Sequence, residues 1–257
     1  MRHVFSGRAA LRTATLESPG GRFVTKTIPL RRRRTGRATE RAHVASGDRR
    51  PGPAPGTRLI LIRHGESHAN TTRRLVGHDT CLGLTDTGRQ QAAALRDRLL
   101  HAGGMPADAL YTSELPRAIE TAAIISPAVA DGRCEPVRRC DLCEFHWGGL
   151  EGRSMADFGG VDSMYDAVAT AGGESWVRFM LRSRRGLLAV AQRHAGQTAV
   201  IVTHGGVIRA SMQHFAGVDG PGRLELDVDY TSMTVWSGGS TGGRWRLERF
   251  NDHGHLD

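Results

Sequence analysis

No stretch of this sequence is apolar for the roughly 20 residues that a membrane span takes, and the N-terminus lacks the apolar core of a secretory signal. A soluble protein of a reducing, cytoplasmic compartment is expected. Cysteine is scarce, at four residues: Cys81, Cys134, Cys140 and Cys143. Only Cys140 and Cys143 form a C-x-x-C, and no second pair stands at zinc spacing. They are therefore read as small buried side chains rather than as a zinc or redox pair. No group of acidic residues has the spacing of a calcium or magnesium loop. Neither a metal nor a cofactor is expected. Lysine is nearly missing, with Lys26 alone against a background of arginine. There is no internal repeat, which excludes a solenoid.

The charge that is present is segregated. The formal net charge of +9 suggests a polyanion partner until it is mapped. Residues 1–57 hold 13 of the 35 basic side chains and three acidic ones (Glu17, Glu40 and Asp48), a net of +10. Residues 58–257 carry 22 basic and 23 acidic side chains, a net of −1. The first segment also contains Arg31-Arg32-Arg33-Arg34 and the breaker run Pro51-Gly52-Pro53-Ala54-Pro55-Gly56. No apolar period persists there long enough to offset the entropy of ordering. It is read as a disordered basic tail, with a polyanion-binding arm and a targeting segment as the other readings. Nucleic acid is a partner only through that tail, and oligomeric state is not legible.

Order is expected from Arg58. Leu59-Ile60-Leu61-Ile62 has the continuous apolar character of a central parallel strand, and residues 198–202 repeat it. Helices are expected over about 85–100, 115–125, 174–194 and 205–215, with short strands at 109–111 and 137–145. Residues 224–250 alternate like strands, and 154–171 read as a cap. Strands alternating with helices predict an α/β fold: a three-layer α/β/α sandwich around a mostly parallel sheet.

Two segments share one design. Arg63-His64-Gly65 follows the first buried strand, and Thr203-His204-Gly205-Gly206 follows another. In a parallel sheet both fall at the carboxyl edge, where open α/β folds bind ligands. Glycine lets a ligand approach the backbone, and a following helix offers N–H groups to an anion. Arg63 adds a charged fork suited to phosphate. A single histidine after a strand is ordinarily structural; two matched units outweigh that reading.

These residues resemble the histidine phosphatase superfamily, which also contains the cofactor-dependent phosphoglycerate mutases. Leu61 to Ser67 resembles its signature, with Asn70, Arg74 and Gly77 following. Leu84-Thr85 through Gly88, Gln91 and Ala92 is similar to L-T-x-x-G-x-x-Q-A, and Ser113 through Ala122 to S-x-L-x-R-A-x-x-T-A. Leu142 to Gly152 resembles L-x-E-x-x-x-G-x-x-E-G, with Leu150 where tryptophan is usual. Asn251-Asp252 and His255-Leu256 resemble a common ending.

The resemblance implies a phosphoglycerate mutase-like fold and a set of roles. His64 attacks phosphorus; Arg63, Asn70, Arg117 and His204 line the phosphate pocket; Glu144 is the general acid and then the base. The arginines supply permanent charge, so the chemistry needs no metal. Glu174 is a second acidic candidate, read as structural because glutamate is favoured at a helix start. His146, Glu66 and Glu114 have structural readings beside functional ones. The expected substrate is a small phosphomonoester. A mutase-type phosphotransferase is the alternative, and an inactive binding protein a more distant one. Residues 58–257 have no lysine, Val76 stands where the mutases carry a hydroxyl, and Gly206 replaces their asparagine; these departures favour hydrolysis.

Overall fold

The computed structural model describes residues 56–72, 74–154, 173–217, 226–238 and 244–257 in full, with the backbone of two N-terminal strands. Those strands, β1 (Arg12–Glu17) and β2 (Phe23–Ile28), pair antiparallel. They lie in one compact unit, residues 1–50, and residues 51–257 form a second. The hairpin falls inside the segment expected to be a disordered tail. Its local signal is the run of β-branched residues Val24, Thr25, Thr27 and Ile28 opposite Thr13 and Thr15.

The second unit begins with β3 (Thr57–Arg63) and a short helix α1 (His68–Thr71). Then come α2 (Asp86–His101), β4 (Ala109–Thr112), α3 (Pro116–Ile125) and β5 (Val137–Arg138). The rest is α4 (Trp176–Arg193), β6 (Thr198–Thr203), α5 (Gly205–Ala216), β7 (Met233–Gly238) and β8 (Trp245–Asp252). The six-stranded sheet runs in the order β5-β4-β6-β3-β7-β8. The first four strands are mutually parallel; β7 and β8 add on antiparallel.

Side chains of β3 alternate between two cores. Leu59 and Leu61 pack with Phe179, Leu187 and Val190 of α4 and Val207 and Ile208 of α5. Ile60 and Ile62 pack with Leu95 and Leu99 of α2 and Ala118, Ala122 and Ile125 of α3. Helices thus cover both faces, as the α/β/α reading requires. Each large apolar side chain buried this way stabilises the fold by about 1.5–3 kcal/mol before the entropy of ordering.

Helix starts follow their caps. Thr85 accepts from the Gly88 N–H at 3.0 Å, Pro116 opens α3, and Ser175 accepts from the Arg178 N–H at 3.3 Å. Two boundaries differ from the sequence reading. β3 begins at Thr57, one residue before the expected Arg58; Thr57 is fully buried and pairs with Gly238. The strand expected over 137–145 stops at Arg138, because Cys140–Leu142 turns as a 3-10 helix that aims the following residues at the sheet edge. The cap expected at 154–171 lies, beyond Ser154, outside the described residues. Among the described residues no helix is long and apolar enough to cross a membrane.

Candidate active site

β3 and β6 are adjacent and in register, Arg63 opposite Thr203. The residue after each strand is therefore carried to the same edge. The His64 N–H donates to the Thr203 carbonyl at 2.9 Å, and the two imidazole centroids stand 5.0 Å apart. Both rings are buried, His64 at 3% and His204 at 0% exposure. Gly65 is required by packing: a Cβ there would meet the Gly88 carbonyl oxygen at 2.4 Å. The first turn of α2 can press against the loop after β3 only because both residues are glycine.

The hydrogen bonds fix which ring nitrogen is reactive. His64 Nδ1 lies 2.6 Å from the Gly65 carbonyl, which can only accept, so Nδ1 carries the proton. Nε2 keeps its lone pair, and the Arg117 Nε–H donates to it at 3.1 Å. Burial, then the charges of Arg117 and Arg63, hold His64 well below the usual imidazole range, so it is neutral near pH 7. His204 is lowered in the same direction, by burial first and then by Arg117 and His64. Ser113 Oγ lies 2.7 Å from His204 Nε2. With the hydroxyl donating there, the ring proton of His204 sits on Nδ1, a buried atom with no partner among the described residues.

Around the two rings is an open cleft. It is lined by Arg63, His64, Asn70, Arg74, Val76, Arg117, Glu144, Trp147, Gly205 and Arg209, among others. The Arg63 guanidinium lies 4.1 Å from the centre of the Tyr230 ring and donates to the Val228 carbonyl. Its Nε has no partner among the described residues. Asn70 Oδ1 accepts from Ser67 N–H and Oγ–H, which leaves the amide nitrogen to donate into the cleft. Glu144 is held at the start of α5: Oε2 accepts from the Gly206 N–H and Oε1 from the Phe145 N–H, both at 3.1 Å. Four guanidinium groups against one carboxylate leave the cleft with an excess of positive charge, which suits an anion such as a phosphate dianion.

A family model described as histidine phosphatase superfamily (branch 1) matches residues 59–253. The chain belongs to that superfamily. Among its curated relatives is an Arabidopsis thaliana metal-independent phosphoserine phosphatase, 33% identical over 210 residues that cover 78% of this chain and 83% of the relative. A phosphoglycerate mutase-like protein 4 from the same organism is 30% identical over 209 residues, 77% of this chain and 86% of the relative. The crystal structure of an Entamoeba histolytica phosphoserine phosphatase mutant in complex with phosphoserine superposes with a TM-score of 0.64 at 25% identity. It covers 78% of this chain and 99% of that one. The chain has the phosphoglycerate mutase-like α/β fold expected from the motifs.

All six residues expected at the site, Arg63, His64, Asn70, Arg117, Glu144 and His204, line or adjoin this one cleft. The other candidates separate from it. Glu174 is buried, pairs with Arg182, and accepts from the His146 N–H at 2.9 Å. Arg182 in turn donates to the carbonyls of Cys140, Cys143 and Glu144. Glu174 therefore holds the Glu144 loop in place rather than facing the cleft. Glu66 accepts from the Thr85 hydroxyl at 2.7 Å, and the Glu114 N–H donates to Cys143. His146 turns away toward His78. Sequence reasoning gave no role to Arg209 or Tyr230. Arg209 had a signal, since helical spacing puts it on the same face as Gly205. Tyr230 had none: it falls in the 224–250 stretch read as strands, and the structure places it in the turn before β7.

Proposed function

We propose that the chain hydrolyses small phosphomonoesters through a phosphohistidine on His64, with no metal at the reacting phosphorus. The carrying observation is the state of His64: a neutral ring, its Nδ1–H tied to Gly65 and its Nε2 lone pair facing an arginine-lined cleft. In the first step Nε2 attacks phosphorus, the P–O ester bond breaks, and the Glu144 carboxyl gives its proton to the leaving oxygen. In the second a water attacks phosphorus, the P–N bond breaks, and the Glu144 carboxylate takes the water proton. The Arg117 Nε–H that now caps Nε2 turns to a phosphate oxygen as the substrate arrives. Arg63 and the Nδ1–H of His204 meet the other oxygens.

Hydrolysis is favoured over mutase-type transfer by the apolar Val76 in the cleft and by the absence of lysine from residues 58–257. Phosphoserine is the first substrate to test, because relatives carry that name and because Arg74 and Arg209 supply charge for a carboxylate.

The test is Glu144→Gln in single turnover. General acid catalysis is typically worth about 10²–10⁴-fold, and phosphoserine, with its poor alkoxide leaving group, is expected to lose about that much in the first step. With p-nitrophenyl phosphate the leaving group needs little protonation, so the first step should be far less affected and show a nitrophenolate burst. Equal losses on both esters would remove Glu144 as the acid.

A further inference from the structure

Four soft ligands converge outside the phosphate cleft. Cys140, Cys143 and His146 come from one loop at C-x-x-C-x-x-H spacing, and His78 comes from the loop after α1. Their ligand atoms all lie within 4.8 Å of one another. The two Nε2 atoms of His78 and His146 are 3.4 Å apart, and Cys140 Sγ is 3.9 Å from each. A tetrahedral zinc with Zn–N near 2.0–2.1 Å and Zn–S near 2.3 Å has N···N edges of about 3.4 Å and S···N edges of about 3.6 Å. The protein already approximates that figure. All four cysteines are free thiols.

We propose that His78, Cys140, Cys143 and His146 bind one zinc(II) ion that braces the two loops of the cleft wall. The donor set selects the metal. Two sulfurs and two imidazoles with no carboxylate suit zinc and exclude calcium or magnesium. Binding replaces two S–H protons, which leave to solvent, and no oxidation state changes. The loop that carries the cysteines is held in place: the Glu114 N–H reaches Cys143 Sγ at 3.3 Å, and the Arg182 guanidinium is bonded to the carbonyls of both cysteines. His78 is exposed and Cys143 is buried, so the ion has a path in from solvent.

The site is full in protein ligands, which marks it as structural. None of the four lines the phosphate cleft. Their neighbours do: Val76 lies two residues before His78, and Glu144 lies between Cys143 and His146. The ion would thus fix the wall that carries the general acid. This departs from reading Cys140 and Cys143 as packing residues. The missing partner was His78, 62 residues from Cys140 in the chain.

The test uses the untagged full chain, purified without added metal and assayed for bound zinc, then stripped by chelation under reducing conditions and titrated with cobalt(II). One cobalt per chain is expected, with thiolate charge-transfer absorption and tetrahedral visible bands that one equivalent of zinc abolishes. His78→Ala, an exposed change on the far loop, should weaken cobalt binding by at least about 10-fold. Cys140→Ser should reduce the charge-transfer band. Should the variants misfold by circular dichroism, zinc must still protect two of the four wild-type thiols from a thiol reagent. Absence of a tetrahedral cobalt spectrum in the wild type overturns the proposal. So does an unchanged spectrum in both folded variants, or a failure of zinc to protect any thiol.

Discussion

Replacing Gly206 by alanine perturbs Glu144 while leaving every reactive side chain unsubstituted. The added methyl carbon would stand 2.1 Å from Glu144 Oε1, 2.9 Å from Cδ and 3.1 Å from Oε2. Favourable contact for such atoms begins at about 3.5 Å, so the carboxylate must retreat by about 1 Å or more. A misplacement of about 1 Å in a catalytic group can cost about 10²-fold. The loss should fall on proton transfer: phosphoserine turnover drops by about that factor, and nitrophenolate release from p-nitrophenyl phosphate in the first step drops far less. The fold should survive. Residue 206 lies in the first turn of α5, its N–H is retained, and alanine is up to about 1 kcal/mol better than glycine in a helix interior. Rates on both esters and a thermal midpoint are the assays. Phosphoserine turnover within about twofold of wild type would refute the placement of Glu144. So would equal losses on both esters at an unchanged midpoint.

Two further outcomes follow from the geometry. His64 and His204 have folded-state values well below the unfolded value of about 6.5. The unfolded chain therefore binds more protons below that pH, and stability should fall as pH drops from about 6.5 toward 5, by up to about 1.4 kcal/mol per pH unit for each ring. Urea midpoints at pH 7.5 and pH 5 read this, and a higher midpoint at pH 5 would contradict it. A chain beginning at Pro51 should keep kcat/KM for phosphoserine at moderate salt, because the removed residues are a separate compact unit and their charge is largely screened beyond about 10 Å. A large loss on that truncation would show that the basic segment serves the cleft.

The main architecture was legible because local signals agreed with the tertiary demand. Leu59-Ile60-Leu61-Ile62 is apolar at every position, and the structure buries it between helices on both faces. Caps at Thr85, Pro116 and Ser175 put the helix starts within two residues of their expected places. The His64 and His204 pairing was readable from two strand–His–Gly units, since a parallel sheet brings such units to one edge. What escaped depended on long-range contact. Residues 139–145 have strand-like character, yet Arg182 and Glu174, from a distant segment, tie that loop into a turn. The approach of His78 to Cys140 and His146 has no trace in local spacing. Thr57 looked like linker beside the Pro-Gly run, but its hydroxyl accepts from the Gly196 N–H, just before the start of the neighbouring parallel strand β6.

On this mechanism the phosphoryl group passes through His64. The direct measurement is rapid mixing of enzyme with radiolabelled phosphoserine, followed by an alkaline quench and peptide mapping. Label should appear on the peptide carrying His64, survive base but not acid, and form and decay fast enough to account for turnover. It should be absent from folded His64→Ala, which should not turn over. Label on a different residue, or undiminished turnover by His64→Ala, would contradict the account.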